Sequence, residues 1–153
     1  PYLYFQLGQS YRRLGDAENA FQCFDAGLSM EVDPGLDYVK TMVESYGYTL
    51  LDLKRNREAL GLLDLYDVFA HRADYVFLMG LIYMNNGLFD EAIEQFKKAS
   101  TMEEFSVDGV NSYMANYNIG VIYECTGRLS DASAYYKKCG SYAPALERLK
   151  TLL

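Results

Sequence analysis

One run of residues recurs along this chain with its internal spacing intact, and that recurrence limits the folds open to it more than any other feature. It first appears as Leu7-Gly8-x-x-Tyr11-x-x-x-Gly15-x-x-x-x-Ala20-x-x-x-Phe24. The same spacing returns as Met79-Gly80-x-x-Tyr83-x-x-x-Gly87-x-x-x-x-Ala92-x-x-x-Phe96, and again as Ile119-Gly120-x-x-Tyr123-x-x-x-Gly127-x-x-x-x-Ala132-x-x-x-Tyr136. A weaker copy holds Gly47, Leu50, Ala59 and Leu63, with Lys54 in place of the second glycine. Gly makes up about 7% of average residues, so four glycines in one register arise by chance in roughly 2 of 100,000 draws. Self-similarity at such a period marks a repeat architecture.

The residue types give each copy a physical reading. Gly8, Gly47, Gly80 and Gly120 are small positions on a first helix, where a second helix can approach closely, and Ala20, Ala59, Ala92 and Ala132 answer them from the other side. Tyr11, Tyr83 and Tyr123, with Phe24, Phe96 and Tyr136, fill the space between. Gly15, Gly87 and Gly127 fall at the turn, where a positive φ is cheap for glycine. Asp16, Asn56, Asp90 and Ser130 are candidate caps for the second helices. The spacing predicts helices over 2–14, 16–30, 35–54, 57–70, 73–86, 89–102, 108–126 and 129–140, and a closing helix over 143–153 with the amphipathic set Leu146, Leu149 and Leu153. Successive copies lie 39, 33 and 40 residues apart, and the extra residues, 32–38 and 107–113, resemble each other. A two-repeat block duplicated at 72 to 75 residues is implied, with first helices about a turn longer in the second and fourth copies.

The pattern resembles the tetratricopeptide repeat (TPR), a helix–turn–helix unit of about 34 residues. The resemblance implies an all-α, right-handed α-solenoid of four repeats, about 1–34, 35–72, 73–106 and 107–142, closed by the final helix and forming one domain over 1–153. In that family the first helices line a concave wall that binds peptides or helices. Carried over, the wall holds Tyr2, Phe5, Gln9 and Arg12, then Glu44, Tyr48 and Leu51, then Phe77, Leu81 and Met84, then Tyr117, Val121 and Glu124. The groove residues expected to do the binding are Tyr2, Phe5, Gln9, Tyr48, Phe77, Met84 and Tyr117, an apolar and aromatic set suited to an amphipathic helix or extended apolar peptide. Family members that grip a C-terminal carboxylate use cationic residues where this chain has Phe5, Gln9, Ser45, Asp74 and Leu78, so that activity is not implied. Three stretches, 43–48, 77–87 and 109–140, also resemble the C-terminal repeat region of bacterial family 2 glycosyltransferases. That resemblance implies a catalytic domain elsewhere in a longer protein, since no Asp-x-Asp motif occurs here. Pro1 in place of an initiator Met reads the same way, as a segment excised from a longer chain.

Charge and composition narrow the function. With 21 acidic against 14 basic residues and a net charge of −7, the chain lacks the clustered Lys and Arg that nucleic acids or anionic membranes require. No apolar stretch approaches the roughly 20 residues that cross a bilayer. Three cysteines without CxxC spacing and a single histidine, His71, give neither a metal site nor a Cys–His dyad, and no cofactor is expected. The cysteines read as small semi-buried apolar residues in a reducing cytoplasm, and His71 as a loop residue. The acidic pairs Asp90-Glu91 and Glu103-Glu104 read as solvated faces rather than catalytic carboxylates. The sequence thus points to a non-enzymatic module whose partner is a protein or peptide segment. It leaves open a homodimer, or an inner face packed on a neighbouring domain.

Overall fold

The computed structural model describes residues 1–152, and every regular element among them is helical. The chain divides into two compact units, Pro1–Phe69 and Ala70–Leu153. The first holds α1 (Tyr2–Arg13), α2 (Ala17–Leu28), α3 (Asp37–Asp52), α4 (Asn56–Ala59), a 3₁₀ segment over Leu60–Leu65, and α5 (Tyr66–Phe69). The second holds α6 (Ala73–Asn85), α7 (Phe89–Ser100), α8 (Tyr113–Cys125), α9 (Leu129–Lys137) and α10 (Ala143–Leu152).

In the first, third and fourth helix pairs the expected small-residue contact is made. A Cβ added at Gly80 would lie 2.6 Å from the Phe96 ring, and one at Gly120 would lie 2.6 Å from the ring of Tyr136. Gly8 faces Phe24 in the same way. Carbon atoms pack at about 3.5–4.0 Å, so these positions exclude any side chain while the helices keep their spacing. Opposite them, Ala20, Ala59, Ala92 and Ala132 are fully buried. In the first unit Ala20, Phe24 and Met42 form the packed centre, with Phe5, Tyr11, Leu28, Val32, Tyr38 and Tyr46 against it.

The four turns share one hydrogen-bond scheme. After α1, the Gly15 N–H donates to Arg12 O (3.0 Å) and the Asp16 N–H donates to Tyr11 O (2.9 Å). This is the Schellman arrangement, which satisfies carbonyls that the helix end leaves open. It recurs at Gly87–Leu88 and Gly127–Arg128, with glycine φ of +77°, +73° and +80° in the three. Lys54 holds the same place after α3 at φ +61°, where its N–H donates to Leu51 O (3.0 Å) and that of Arg55 to Leu50 O (2.9 Å). The hydrogen bonds of the turn hold a non-glycine residue in a left-handed conformation that costs it about 1–2 kcal/mol.

Several local expectations change. Of the four candidate caps only Asp16 caps a helix, its Oδ1 accepting from the Asn19 N–H at 3.1 Å. The Asn19 side-chain and backbone hydrogen bonds hold its carboxyl below the usual carboxylate range. Asn56, Asp90 and Ser130 lie inside α4, α7 and α9, which start from Arg55, Leu88 and Arg128. Arg55 and Arg128 pair instead with the acids three residues on, Glu58 (2.7 Å) and Asp131 (2.8 Å). The continuous helix expected over 57–70 is three short pieces. Gly61, which meets nothing with its absent side chain, sits where the helix tightens into 3₁₀ geometry, and Leu63 replaces the ring that anchors the other second helices.

The first helix of the second copy is longer, as expected, at 16 residues against 12 in α1. The fourth is not: α8 begins at Tyr113, and residues before it form an ordered loop that turns at Gly109 (φ +96°). That loop is fixed from a distance. The buried Asp74 carboxylate accepts from the backbone N–H groups of Ser106 (2.7 Å) and Val107 (2.9 Å), and the Ala73 N–H donates to Glu104 O (2.8 Å). Arg72, also buried, lies 3.9 Å from Asp74 and donates to Ser106 Oγ at 3.2 Å. The closing helix α10 packs on α9 through the buried Ala145, and Arg148 forms an ion pair with Glu124. Leu153 lies outside the described residues. Cys23 and Cys139 are buried, whereas Cys125 is exposed, as is His71 in the turn before α6.

Candidate functional site

The spacing 2, 5, 9, 12 puts four side chains of α1 on one stripe, because residues three and four apart share a helix face. In the first unit this stripe meets α3. Tyr2, about half exposed, has its ring centroid 5.1 Å from that of Tyr38 in an edge-on pair. Phe5 lies 5.8 Å from Tyr38 and 6.2 Å from Tyr2, so the three rings form one aromatic edge. Further along, Ser45 Oγ donates to Gln9 Oε1 at 3.3 Å. Arg12 reaches Asp52 at 3.7 Å and lies 5.8 Å above the ring of Tyr48. Tyr2, Phe5, Gln9 and Tyr48 are therefore presented by two adjacent helices of one unit.

Beside the aromatic edge is an open cleft of about 380 Å³ lined by Tyr2, Phe5, Gln6, Gln9, Ser10 and Arg13. Gln6 Nε2 donates to the Tyr2 hydroxyl at 3.0 Å, and Ser10 Oγ donates to Gln6 O at 3.0 Å. The cleft offers rings for apolar contact and amide, hydroxyl and guanidinium groups for backbone or carboxylate atoms. Residues 1–15 contain no acid, against Arg12 and Arg13, so this end of a chain of net charge −7 is locally cationic.

The three expected residues of the second unit are placed differently. Phe77 is a correction. It is 2% exposed, its ring 5.4 Å from that of Phe96, and a side chain so enclosed by its own core offers nothing to a ligand. Met84 and Tyr117 are half-buried. Tyr117 stacks obliquely on Tyr136 (5.7 Å) and edge-on to Tyr142 (5.5 Å), and Tyr113 joins Tyr142 at 4.9 Å. Burial pushes the Tyr136 hydroxyl up to about 12, the neighbouring Glu124 charge acting in the same direction. Of the wider wall, Glu44 and Leu51 are buried, Leu81 and Val121 are half-buried, and Glu124 is paired with Arg148.

Tyr38, Tyr113 and Tyr142 were not among the expected site residues. For the first two a signal existed: they end the similar segments 32–38 and 107–113, one in each two-repeat block. Among the described residues no group of three His, Cys, Asp or Glu side chains is placed to hold a metal ion. No helix of the described residues is long and apolar enough to cross a membrane.

Comparison with known proteins agrees with this geometry. No curated protein matches the sequence. Among solved structures, the crystal structure of MamA is similar with a TM-score of 0.71 at 22% identity, over 97% of this chain and 77% of that one. MamA 41-end from Desulfovibrio magneticus RS-1 is similar with a TM-score of 0.72 at 20% identity, over 97% of this chain and 74% of that one. At these identities the likeness speaks for an all-helical repeat solenoid and for nothing beyond the fold. The tetratricopeptide repeat family model matches residues 1–31, 73–105 and 115–146. Those spans are the three copies with a turn glycine and an aromatic anchor, and they leave aside the copy with Lys54 and the broken helix. As they cover well over half of its length, the chain belongs to the tetratricopeptide repeat family.

Proposed function

We propose that this chain is a protein-interaction module whose first unit binds a peptide or short helical segment over α1 and α3, with Tyr2, Phe5, Gln9 and Tyr48 as contacts. The aromatic edge of Tyr2, Phe5 and Tyr38 beside the cleft carries the reading. Burying the exposed half of Tyr2, about 100 Å² of a large ring, contributes about 2 kcal/mol. The rings are held by packing on the core before any ligand arrives, so little ordering cost opposes binding. The cationic end of α1 favours partner segments with a carboxylate near the cleft.

A peptide-display selection against the chain tests this. Selected peptides should lose about tenfold or more in affinity on Tyr2→Ala and on Tyr48→Ala, with both variants still unfolding cooperatively. Peptides that bind both variants as they bind the parent would exclude this surface. In the competing reading the inner face packs on a neighbouring domain or a second copy; the second-copy form requires a tight dimer that hides Tyr48, and a concentration-independent monomer in sedimentation excludes it. Neither the family match nor the MamA likeness supports the expected link to a glycosyltransferase, and the proposal does not rest on it.

A further inference from the structure

Between the end of α2 and the α4–3₁₀ stretch, the first unit opens into a second cleft, of about 400 Å³. Leu28, Leu62, Leu65 and the Tyr46 ring give it an apolar lining. Three acids, Asp25, Glu58 and Asp64, also line it, and no Lys, Arg or His does. Glu58 is paired with Arg55 at 2.7 Å. Asp25 accepts from the Tyr46 hydroxyl at 3.3 Å, and neither it nor Asp64 has an ion-pair partner among the described residues. Gly61 stands at the cleft with open space where a side chain would be, and its φ needs no glycine. The repeat fold does not demand these acids. Asp25 and Asp64 lie 17 residues after Gly8 and Gly47, and the same place in the other two copies holds Lys97 and Lys137. Those lysines suit the last turns of α7 and α9, where the helix end attracts cations. Asp25 sits against that rule in the last turn of α2, with no basic residue there to offset it. A residue that breaks a local rule without a structural return marks a place kept for function.

We propose that this cleft docks an apolar, cationic segment of another protein. Its Arg or Lys side chains meet Asp25 and Asp64, and an apolar side chain rests on Leu28, Leu62 and Leu65. Charge complementarity selects that occupant: residues 16–39 carry six acids and residues 58–70 three, with no Lys or Arg in either run. The chain's own arginine shows the recognition. The Arg55 guanidinium lies 4.0 Å over the Phe21 ring while it pairs with Glu58. Tyr46, stacked on Phe21 at 5.6 Å, sets a second ring beside a carboxylate, that of Asp25, for an incoming cation. This cleft is separate from the α1–α3 surface proposed above, and neither reading depends on the other.

The test uses the 153-residue chain and the fluorescein-labelled peptide Gly-Arg-Leu-Leu-Arg-Gly as probe. Saturable binding is expected, weakened about tenfold or more by each of two cleft variants. Asp25→Lys/Asp64→Lys gives the first unit the lysines that the second carries, and Gly61→Leu fills the cleft from a position with room for a side chain. Both should still unfold cooperatively, and the lysine variant should bind Gly-Glu-Leu-Leu-Glu-Gly in place of the arginine peptide. Glu94→Lys/Glu103→Lys, an equal charge change at exposed residues of the second unit, should bind the arginine peptide as the parent does, and so should Tyr2→Ala. Absence of saturable binding up to about 1 mM, undiminished binding to either cleft variant, or equal weakening by Glu94→Lys/Glu103→Lys overturns the proposal. So does a parent dimer that Asp25→Lys/Asp64→Lys converts to monomer, since the cleft then belongs to a second copy.

Discussion

Replacing Asp74 probes a contact that no local rule of helix formation supplies. The carboxylate is 5% exposed and accepts two backbone N–H groups, from Ser106 and Val107, with the Arg72 guanidinium 3.9 Å away. Hydrogen bonds to a charged group contribute about 1.5–3 kcal/mol each. Asp74→Ala removes both hydrogen bonds and the contact with the buried Arg72, a loss of about 3–5 kcal/mol for breaking one partner of such a pair. Asp74→Asn keeps the volume and one acceptor, so it should cost less, about 2 kcal/mol. A domain of this size shifts its melting point by about 2–4 °C per kcal/mol, which puts Asp74→Ala about 6–20 °C below the parent. Hydrogen exchange adds a local reading, because the Ser106 and Val107 amides should lose protection before those of α6. Melting of Asp74→Ala within about 1 kcal/mol of the parent, with both amides still protected, would refute the claim that this carboxylate fixes the loop.

Three shorter predictions concern the same packing. Lys54→Gly should raise stability by about 1 kcal/mol in chemical denaturation, because it relieves a left-handed residue at φ +61° while the turn's hydrogen bonds remain. Phe77→Ala should cost about 3–5 kcal/mol by the same assay, as expected for a core ring and not for a ligand contact. Tyr136 has its hydroxyl raised to about 12 from an ordinary 10.0, so the folded chain holds a proton that the unfolded chain releases. Stability from this group is complete below pH 10 and falls from there to about pH 12, and alkaline melts of Tyr136→Phe should show a shallower decline.

The repeat register was legible because each of its residues answers a short-range demand. Gly80 must admit the Phe96 ring, and Gly87 must turn the chain at positive φ; both needs are met within one helix pair. The cap positions were legible in the same register, which aligns Leu88 and Arg128 with Asp16, but polar residues two places further on drew the reading away. Gly61 carried a warning that the second copy's second helix would tighten, outweighed by the leucines around it. The start of α8 was not legible, because Asp74 fixes the loop before it from 32 and 33 residues away. Phe77 and Phe5 look alike in sequence, each on a first helix three residues before its glycine. Only the packing around each decides that one is enclosed and the other faces the cleft.

The proposed function stands or falls with the surface that a bound segment covers. An NMR titration of the chain with a selected peptide maps that surface directly. The account predicts shift changes centred on Tyr2, Phe5, Gln9, Tyr38 and Tyr48, saturating together. Changes confined to Ala70–Leu152, with those five residues unmoved, would contradict it.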